Sequence, residues 1–178
     1  MLTTNQKLPE FSLTAVVSAE HFEAFETITH ESYANQWKVL FFWPKDFTFV
    51  CPTEIHGFGK VEKALQERNT QLIGASTDSE YVHLAWRNDH KQLKDSPFPW
   101  LADIKKELST AMGILDEDEG IARRATFIID KNNVIRYASM VDEKVGRNPQ
   151  EVLRILDALQ SDGLCGCEWR PGDAHITV

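Results

Sequence analysis

The stretch KVLFFWPKDFTFVCPTE, residues 38–54, decides the fold of this chain. Residues 38–43 form an almost continuous apolar run, which is typical of a strand buried on both faces of a sheet. Pro44 ends that run, and Pro52 suits the first turn of a helix, where its missing N–H costs little. The stretch therefore predicts a strand, a loop and a helix, with Cys51 at the N-terminus of that helix. Apolar residues continue the helix at spacings of three and four, at Ile55, Phe58, Val61 and Leu65.

The rest of the chain predicts an alternation of further strands and helices. The strands are expected at 71–76, 125–130 and 134–140, and the helices at 79–93, at 105–112 and from Asn148 and Pro149 onward. Residues 97–103, which contain two prolines, are predicted to be irregular. This order is that of an α/β, thioredoxin-like fold, which we expect to carry an N-terminal hairpin in front and a C-terminal arm behind. The expected domain covers residues 1–160, and the expected arm covers residues 161–178.

The composition disfavours several classes of partner. The chain has 178 residues, 42% of them hydrophobic and 26% charged, and a net charge of −8, which suits one globular domain. An acidic chain lacks the basic footprint that nucleic acids and anionic membranes require. Its most acidic run, 116–119, is predicted to be an exposed loop. The sequence has no secretory leader and no run of about 18 apolar residues, so we expect a cytoplasmic protein.

The cysteines point to catalysis, metal binding or core packing. There are three of them, an odd number that suits a reducing compartment better than a disulfide framework. Cys51 would meet unpaired N–H groups and a partial positive charge at the helix N-terminus, which favour a thiolate. Its position alone leaves an inert buried cysteine equally open. Thr48 stands three residues earlier, with a hydroxyl that can donate to a thiolate or to a bound oxygen.

Four segments resemble the 2-Cys peroxiredoxins, and most closely the alkyl hydroperoxide reductase C subunits of the mycobacterial type. They are FFWPKDFTFVCPTEI, ARRATFIID, VGRNPQEVLRILDALQSD and LCGCEWRPGD, and they follow the order of that family over nearly the whole chain. The resemblance implies a thioredoxin-like fold. It also implies a thiol-dependent peroxidase that reduces hydrogen peroxide and organic hydroperoxides without a metal, haem or flavin.

The resemblance assigns the site residue by residue. Cys51 matches the peroxidatic cysteine, which becomes a sulfenic acid, and Thr48 matches the hydroxyl that contacts thiolate and peroxide. Pro44 matches the residue that shields the pocket from water. Arg124 matches the arginine that faces the thiolate, since it stands three residues before Phe127, as the arginine of the family does. The supporting residues are Glu54 and Arg147, which orient that arginine, and Trp86, on a helix that borders the pocket.

The two remaining cysteines, Cys165 and Cys167, form a C-x-C pair in the predicted arm. The resolving cysteine of the family stands four residues before a tryptophan, so the resemblance favours Cys165, which precedes Trp169 by four. Cys167 departs from the commonest pattern of the family. It is expected either to substitute for Cys165 or to relay the disulfide outward to a reductant. The alternative is a zinc half-site with His175, although a structural zinc needs about four ligands and the fourth is not identified.

The resemblance also implies partners. The arm of one chain reaches the peroxidatic site of a second copy, which implies a homodimer with an intersubunit disulfide and a ring of five or six dimers. The helix would have to unwind at Cys51, and Gly57 and Gly59 would lower the cost. A dithiol reductant of thioredoxin, flavoprotein reductase subunit or adaptor type would regenerate the thiols. The alternative function is a redox-gated chaperone or sensor built on the same cysteine chemistry.

Overall fold

The computed structural model describes residues 1–177, which contain nine strands, four α-helices and one short 3-10 helix, His21–Glu23. The strands are β1 Ser12–Val16, β2 Phe25–Thr29, β3 Trp37–Phe42, β4 Thr70–Ser76, β5 Trp100–Ala102, β6 Leu115–Asp116, β7 Ile121–Ala122, β8 Ala125–Ile129 and β9 Ile135–Met140. The helices are α1 Cys51–Gln66, α2 Glu80–Asp89, α3 Glu107–Ala111 and α4 Pro149–Gln160. Among these described residues no helix is long and apolar enough to cross a membrane. Val178, the last residue of the predicted arm, lies outside the described residues.

Seven of the strands form one mixed sheet, in the order β2-β1-β5-β4-β3-β8-β9. The central strand β3 runs parallel to β4 and antiparallel to β8, with Phe41 opposite Gly74 on one side and opposite Thr126 on the other. β1 and β2 pair as the N-terminal hairpin and join the sheet through β5. β6 and β7 form a separate two-stranded hairpin. This α/β architecture is the one that the sequence predicts.

The apolar run of β3 contributes to both layers of the core, because side chains alternate between the faces of a strand. Leu40 and Phe42 pack in one apolar cluster, whereas Phe41 and Trp43 pack in the other, which residues of α1 and α4 complete. All four side chains are at most 1% exposed. Cys51 belongs to the second cluster, so its thiol lies in the layer that β3 shares with α1.

The loop between β3 and α1 places Cys51 at the first residue of the helix. Phe47, within this loop, takes up a left-handed backbone conformation with a φ of 56°. Val50 is the N-cap of α1, and its carbonyl oxygen accepts the first hydrogen bonds of the helix. Beyond the other end of α1, Arg68 pairs with Asp157 of α4. The helix is therefore tied to α4 at its far end and presents Cys51 at its near end.

The largest differences from the prediction concern α2, β5 and α3. The helix expected at 79–93 ends as α2 at Asp89, because His90 is extended (ψ 111°) and the chain then continues in turns. The segment expected to be irregular, 97–103, contains the buried strand β5, which pairs with β4 and β1. Its two prolines precede the strand, so they remove no N–H from the ladder. The helix expected at 105–112 is the shorter α3.

Residues 161–177 follow α4 as an arm that folds back on itself. An isolated antiparallel bridge joins the two ends of the arm, and the ring of Trp169 stacks on His175 at 5.6 Å. Trp169 is 6% exposed, and its carbonyl oxygen accepts a hydrogen bond from Arg154 of α4 (2.8 Å). The arm therefore rests against the helix that precedes it.

Candidate active site

Cys51 lines a cavity of about 220 Å³ between the β3–α1 loop and the β6–β7 hairpin. Its side chain is 2% exposed, and it stands at the first residue of α1. The N–H groups of a first helical turn have no partner within the helix, so this end of α1 carries partial positive charge. The cavity wall brings together four residues that the sequence predicts for one site, Pro44, Thr48, Cys51 and Arg124. The rest of the wall is formed by Lys45, Phe49, Val50, Glu119, Ile121 and Glu143.

The side chain of Arg124, just before β8, meets the thiol in this cavity. Its Nη1 donates to Cys51 Sγ over 3.6 Å and also to the carboxylate of Glu54, while Nη2 donates to the carbonyl oxygen of Glu143 (2.7 Å). The Nε of Arg124 is buried and has no hydrogen-bond partner within residues 1–177. A buried donor without a partner is costly.

Arg123 shows why the register of this segment matters. Its side chain is 50% exposed and pairs with Asp116 (3.2 Å), whereas the side chain of Arg124 is 3% exposed. Neighbouring side chains of an extended chain point to opposite faces. The structure therefore directs Arg124 to the thiol and Arg123 to solvent.

Glu54 of α1 and Arg147, from the loop before α4, hold Arg124 in place. Glu54 accepts hydrogen bonds from Arg147 N and Nε (both 2.8 Å) and from Nη2 (3.0 Å). Arg147 Nη1 donates to the carbonyl oxygen of Ala125 (2.7 Å), which fixes it to the start of β8. Burial opposes ionisation of Glu54, but the hydrogen bonds and charge of Arg147, with the charge of Arg124, lower the pKa of Glu54 overall. An ionised Glu54 therefore orients Arg124 toward Cys51.

The other predicted residues take different places around the cavity. Pro44 is buried and Thr48 is half-buried, and both line the cavity. The Thr48 hydroxyl donates to the carbonyl oxygen of Lys45 (2.9 Å) rather than to the thiol. Trp86 is 2% exposed and stands outside the cavity wall, where its ring packs on Phe47 at 5.8 Å. Trp86 thus supports the β3–α1 loop through Phe47.

A buried pair that the sequence analysis missed anchors the same loop. His83 Nδ1 lies 2.6 Å from Asp46 Oδ2, and both side chains are at most 1% exposed. His83 Nε2 donates to the carbonyl oxygen of Leu101 (3.1 Å), and Trp43 Nε1 donates to Asp46 Oδ1 (2.7 Å). Burial raises the pKa of Asp46, and Asp46 raises the pKa of His83 although burial opposes the charged imidazole. The pair therefore shares a proton and ties the loop to α2 and β5.

Three charged residues of the cavity wall also fall outside the predicted site, namely Lys45, Glu119 and Glu143. Glu119 belongs to the acidic run 116–119, which was predicted to be an exposed loop. Residues 117–119 are indeed exposed, and they form the turn of the β6–β7 hairpin. Composition shows that such a run is solvated, but it does not show which cavity the run borders.

The two cysteines of the arm have different surroundings, and all three thiols of the chain are free. Cys165 is half-buried beyond the last turn of α4, with Sγ 3.8 Å from the carbonyl oxygen of Ala158. Cys167 is exposed. Within residues 1–177 no group of three or more histidine, cysteine or acidic side chains is placed to hold a metal ion. The zinc alternative therefore finds no support in the described part of the arm.

Comparison with known proteins gives the family. A family model described as the AhpC/TSA family matches residues 4–138. The chain is 49% identical over 184 residues to alkyl hydroperoxide reductase C of Mycobacterium tuberculosis, and the alignment covers 99% of this chain and 94% of the relative. It is 47% identical over 186 residues to alkyl hydroperoxide reductase C of Mycolicibacterium smegmatis, and that alignment covers 100% of this chain and 95% of the relative.

Solved structures agree with the sequence matches. The structure of Mycobacterium tuberculosis AhpC matches with a TM-score of 0.88 and 48% identity, covering 96% of this chain and 99% of that one. The reduced 2-Cys peroxiredoxin of Plasmodium vivax matches with a TM-score of 0.90 and 31% identity, covering 98% and 93%. Fold and sequence together define a peroxiredoxin with the thioredoxin-like fold. The chain belongs to the AhpC/TSA family, which confirms the predicted resemblance to alkyl hydroperoxide reductase C.

Proposed function

We propose that this peroxiredoxin reduces hydrogen peroxide and organic hydroperoxides through a sulfenic acid on Cys51. The observation that carries the proposal is the placement of Cys51 at a helix N-terminus, in a cavity, with Arg124 Nη1 3.6 Å from Sγ. The helix end and the guanidinium both place positive charge beside the sulfur, and the thiolate is the nucleophilic form of cysteine. The names of its relatives, alkyl hydroperoxide reductase C and 2-cysteine peroxiredoxin, support the same activity.

In the first step the Cys51 thiolate attacks one oxygen of the O–O bond. An S–O bond forms, the O–O bond breaks, and the departing oxygen takes up a proton, which leaves water or an alcohol and a sulfenic acid. Arg124 and the Thr48 hydroxyl, once it turns from the Lys45 carbonyl, hold the two oxygens in line and stabilise the charge that builds up on them. Pro44 keeps water away from the thiol.

The second step traps the sulfenic acid before another peroxide oxidises it further. We assign Cys165 of the partner subunit as the resolving thiol, with Cys167 as the alternative. The sulfur of the resolving cysteine displaces the hydroxyl from the Cys51 sulfenic acid, so that a disulfide forms and water leaves. Because Cys51 is only 2% exposed, the first turn of α1 has to unwind before the two sulfurs meet. The working unit is then a homodimer, and the family resemblance supports a ring of five or six such dimers.

The cycle closes when a dithiol reductant reduces the disulfide through a mixed disulfide. The reductant is of thioredoxin, flavoprotein reductase or adaptor type, and the exposed Cys167 suits a relay of the disulfide toward it. Residues 1–160 then carry the peroxide chemistry, and the arm 161–178 carries the transfer to the reductant. Regeneration of free thiols requires a reducing compartment, which is why we propose a cytoplasmic location.

The test is peroxide consumption by the purified full chain with dithiothreitol as reductant. Wild type is expected to turn over continuously, and Cys51→Ser is expected to be inactive. Cys167→Ser is the matched control, because it makes the same substitution at an exposed thiol and should retain the first reaction with peroxide. Sustained turnover by Cys51→Ser would overturn the assignment of the nucleophile. Suppression of client aggregation without peroxide turnover in wild type would instead support the redox-gated chaperone.

A further inference from the structure

An ion pair lies at the mouth of the Cys51 cavity and has no part in the chemistry proposed above. Lys45 Nζ, from the β3–α1 loop, lies 3.3 Å from Glu119 Oε2, from the β6–β7 hairpin. Both residues belong to the cavity wall. Their side chains are 48% and 62% exposed, so they form the part of the wall that meets solvent. We call this pair the rim pair.

Hydrogen bonds within the turn of the β6–β7 hairpin fix the backbone that carries Glu119. Asp116 Oδ1 accepts hydrogen bonds from the N–H groups of Asp118 and Glu119 (both 3.1 Å). Gly120 has a φ of 66° and donates its N–H to the carbonyl oxygen of Asp116 (2.7 Å). A left-handed backbone at this position favours glycine. The backbone of Glu119 is therefore fixed opposite Lys45.

The size of the cavity decides which part of a substrate reaches the rim pair. Its volume is about 220 Å³, below the roughly 300 Å³ at which pockets for drug-sized ligands begin. Hydrogen peroxide fits inside, beside Cys51 and Arg124. An organic hydroperoxide whose O–O group reaches Cys51 has to leave a longer carbon tail at the mouth, beside Lys45 and Glu119.

We propose that Glu119 is a specificity-determining residue, which favours neutral organic hydroperoxides over hydroperoxides whose tail carries a carboxylate. Within the described cavity wall, Lys45 is the one cation besides Arg124, and Glu119 neutralises it. An anionic tail would therefore meet a carboxylate and a lysine that is already paired. The inference rests on the proposed peroxidase function and names the class of substrate that the same site prefers.

Other charges also lie around the turn, and Glu143 of the cavity wall adds charge of the same sign as Glu119. Glu117 and Asp118 are exposed beside Glu119 and add charge of the same sign. Two cations face the turn from outside the cavity wall. Arg123 is paired with Asp116, and the Lys106 side chain packs against Gly120.

The test compares two hydroperoxides with one carbon skeleton, one ending in a carboxylate and the other in its methyl ester. Rate constants for the reaction with reduced full chain are measured by stopped flow. Each is divided by the rate constant with hydrogen peroxide, which removes any general loss of reactivity.

Glu119→Gln frees Lys45 and should raise the carboxylate-to-ester ratio of these rate constants by about two- to five-fold, the size expected of a part-exposed charge pair. Lys45→Gln should lower that ratio. Both shifts should shrink at about 1 M salt, where charges are screened over about 3 Å.

The matched control is Glu117→Gln, which removes the same charge from the same turn but lies outside the cavity wall. An equal rise in Glu117→Gln and Glu119→Gln would show that the net charge of −8 sets the ratio, and it would overturn the inference. An unchanged ratio in Glu119→Gln would overturn it as well. If that variant does not fold, the opposite shift in Lys45→Gln decides. Failure of wild type to reduce any of the three peroxides would refute the peroxidase proposal itself.

Discussion

Cys51 and Cys165, the two cysteines proposed to form a disulfide, lie at opposite kinds of helix end. Cys51 is the first residue of α1, where N–H groups are unpaired and the helix dipole is positive. Cys165 lies past the last turn of α4, where carbonyl groups are unpaired and the dipole is negative, and its sulfur is 3.8 Å from the Ala158 carbonyl oxygen. The neighbours differ as well. Arg124 donates to Cys51, whereas Cys165 donates to the Ala158 carbonyl oxygen and its sulfur lies 3.2 Å from the Ser161 hydroxyl, where either group can be the donor.

This difference suits the two roles in the proposed cycle. The N-terminal end of α1 and Arg124 present positive charge to the sulfur proposed to attack peroxide, whereas the sulfur of Cys165 lies among carbonyl oxygens. Arg154 carries positive charge near Cys165, but Glu151 holds its guanidinium with two hydrogen bonds of 2.7 and 2.8 Å.

The supports of the two ends differ as well. The ion pairs around Cys51 are buried, with side chains at most 5% exposed in the Glu54–Arg147 and Asp46–His83 pairs. The Arg154–Glu151 pair beside the arm is 30% and 48% exposed. Exposed pairs contribute little to stability, whereas breaking a buried pair is costly. The pairs around Cys51 therefore oppose unwinding of α1, whereas the pair beside the arm adds little resistance to release of the arm.

Removing the thiol at the α4 end should produce the largest effect on the cycle, apart from loss of Cys51 itself. Cys165→Ser should react with one equivalent of peroxide and then stall with a protein dithiol as reductant, because the sulfenic acid has no resolving thiol. Mass spectrometry without reductant should find a Cys51–Cys165 disulfide in wild type and a sulfenic acid in the variant. Cys167→Ser is the comparison. Full disulfide yield in Cys165→Ser and none in Cys167→Ser would reverse the assignment.

Removing the cation at the α1 end should have the next largest effect. Arg124→Ala should slow the reaction of Cys51 with peroxide by about 100- to 1000-fold, the cost of losing one preorganised donor in an active site. Arg123→Ala deletes an exposed neighbour of the same type and should change the rate little. Stopped-flow measurements on both variants decide the matter. A larger loss in Arg123→Ala would mean that the solution structure has the opposite register.

Local sequence patterns predict one of these two ends better than the other. The strand, loop and helix around Cys51 are encoded within 38–54, where an apolar run, a proline and helical spacing follow one another. Arg124 lies 73 residues away from Cys51 and was found only through the family resemblance. The contacts of the arm with α4 depend on how a segment rich in glycine and polar residues packs, and such a segment carries no periodicity to read.

Contacts between distant polar residues were the main gap. Asp46 and His83 stand 37 residues apart, and Lys45 and Glu119 stand 74 apart. Each of these side chains has an ordinary local explanation in the sequence, as a loop residue, a helix residue or a member of an acidic run. Strand β5 was missed for a related reason. The two prolines just before it argue locally against a strand, whereas the strand forms through pairing with β4 and β1, which lie far away in the sequence.

The Asp46–His83 pair predicts that the stability of the Cys51 end depends on pH. Both pKa values are raised in the folded protein, so the folded pair binds its shared proton more tightly than the unfolded chain does. Its contribution is complete below the unfolded histidine pKa of about 6.5 and is lost as pH rises through the folded pKa of His83. The free energy of unfolding should therefore fall by at most about 1.4 kcal/mol per pH unit in that range.

Urea unfolding from pH 6.5 upward measures this dependence against a His83→Gln variant. The variant should be less stable at neutral pH, because it breaks a buried pair, and its stability should vary less with pH. Parallel pH curves for the two proteins would show that other groups carry the dependence.

A smaller effect is expected where α1 has to unwind. Gly57→Ala should stabilise the helix by about 1 kcal/mol and slow disulfide formation by up to about five-fold. The added Cβ would lie 3.5 Å from Pro149 Cγ, an ordinary contact, so packing should permit the change. Gly59→Ala makes the same change two residues further from Cys51, with the Cβ 3.4 Å from Pro97 Cδ. Equal disulfide rates in wild type and Gly57→Ala would confine the unwinding to the residues before position 57.

The smallest effect should come from loosening the arm at the α4 end. Arg154 Nη1 donates to the carbonyl oxygen of Trp169, and this bond helps to keep Cys165 against the last turn of the helix. Arg154→Gln should therefore raise hydrogen exchange in residues 163–177 and speed disulfide formation by about two-fold, the low end of what a part-buried hydrogen bond worth about 0.5–1.5 kcal/mol would give. Glu151→Gln is the matched control, because it removes the carboxylate partner of Arg154 and leaves the donor to Trp169 in place. Faster exchange with an unchanged disulfide rate would show that release of the arm is not a barrier, and that unwinding at Cys51 alone sets the pace of the second step.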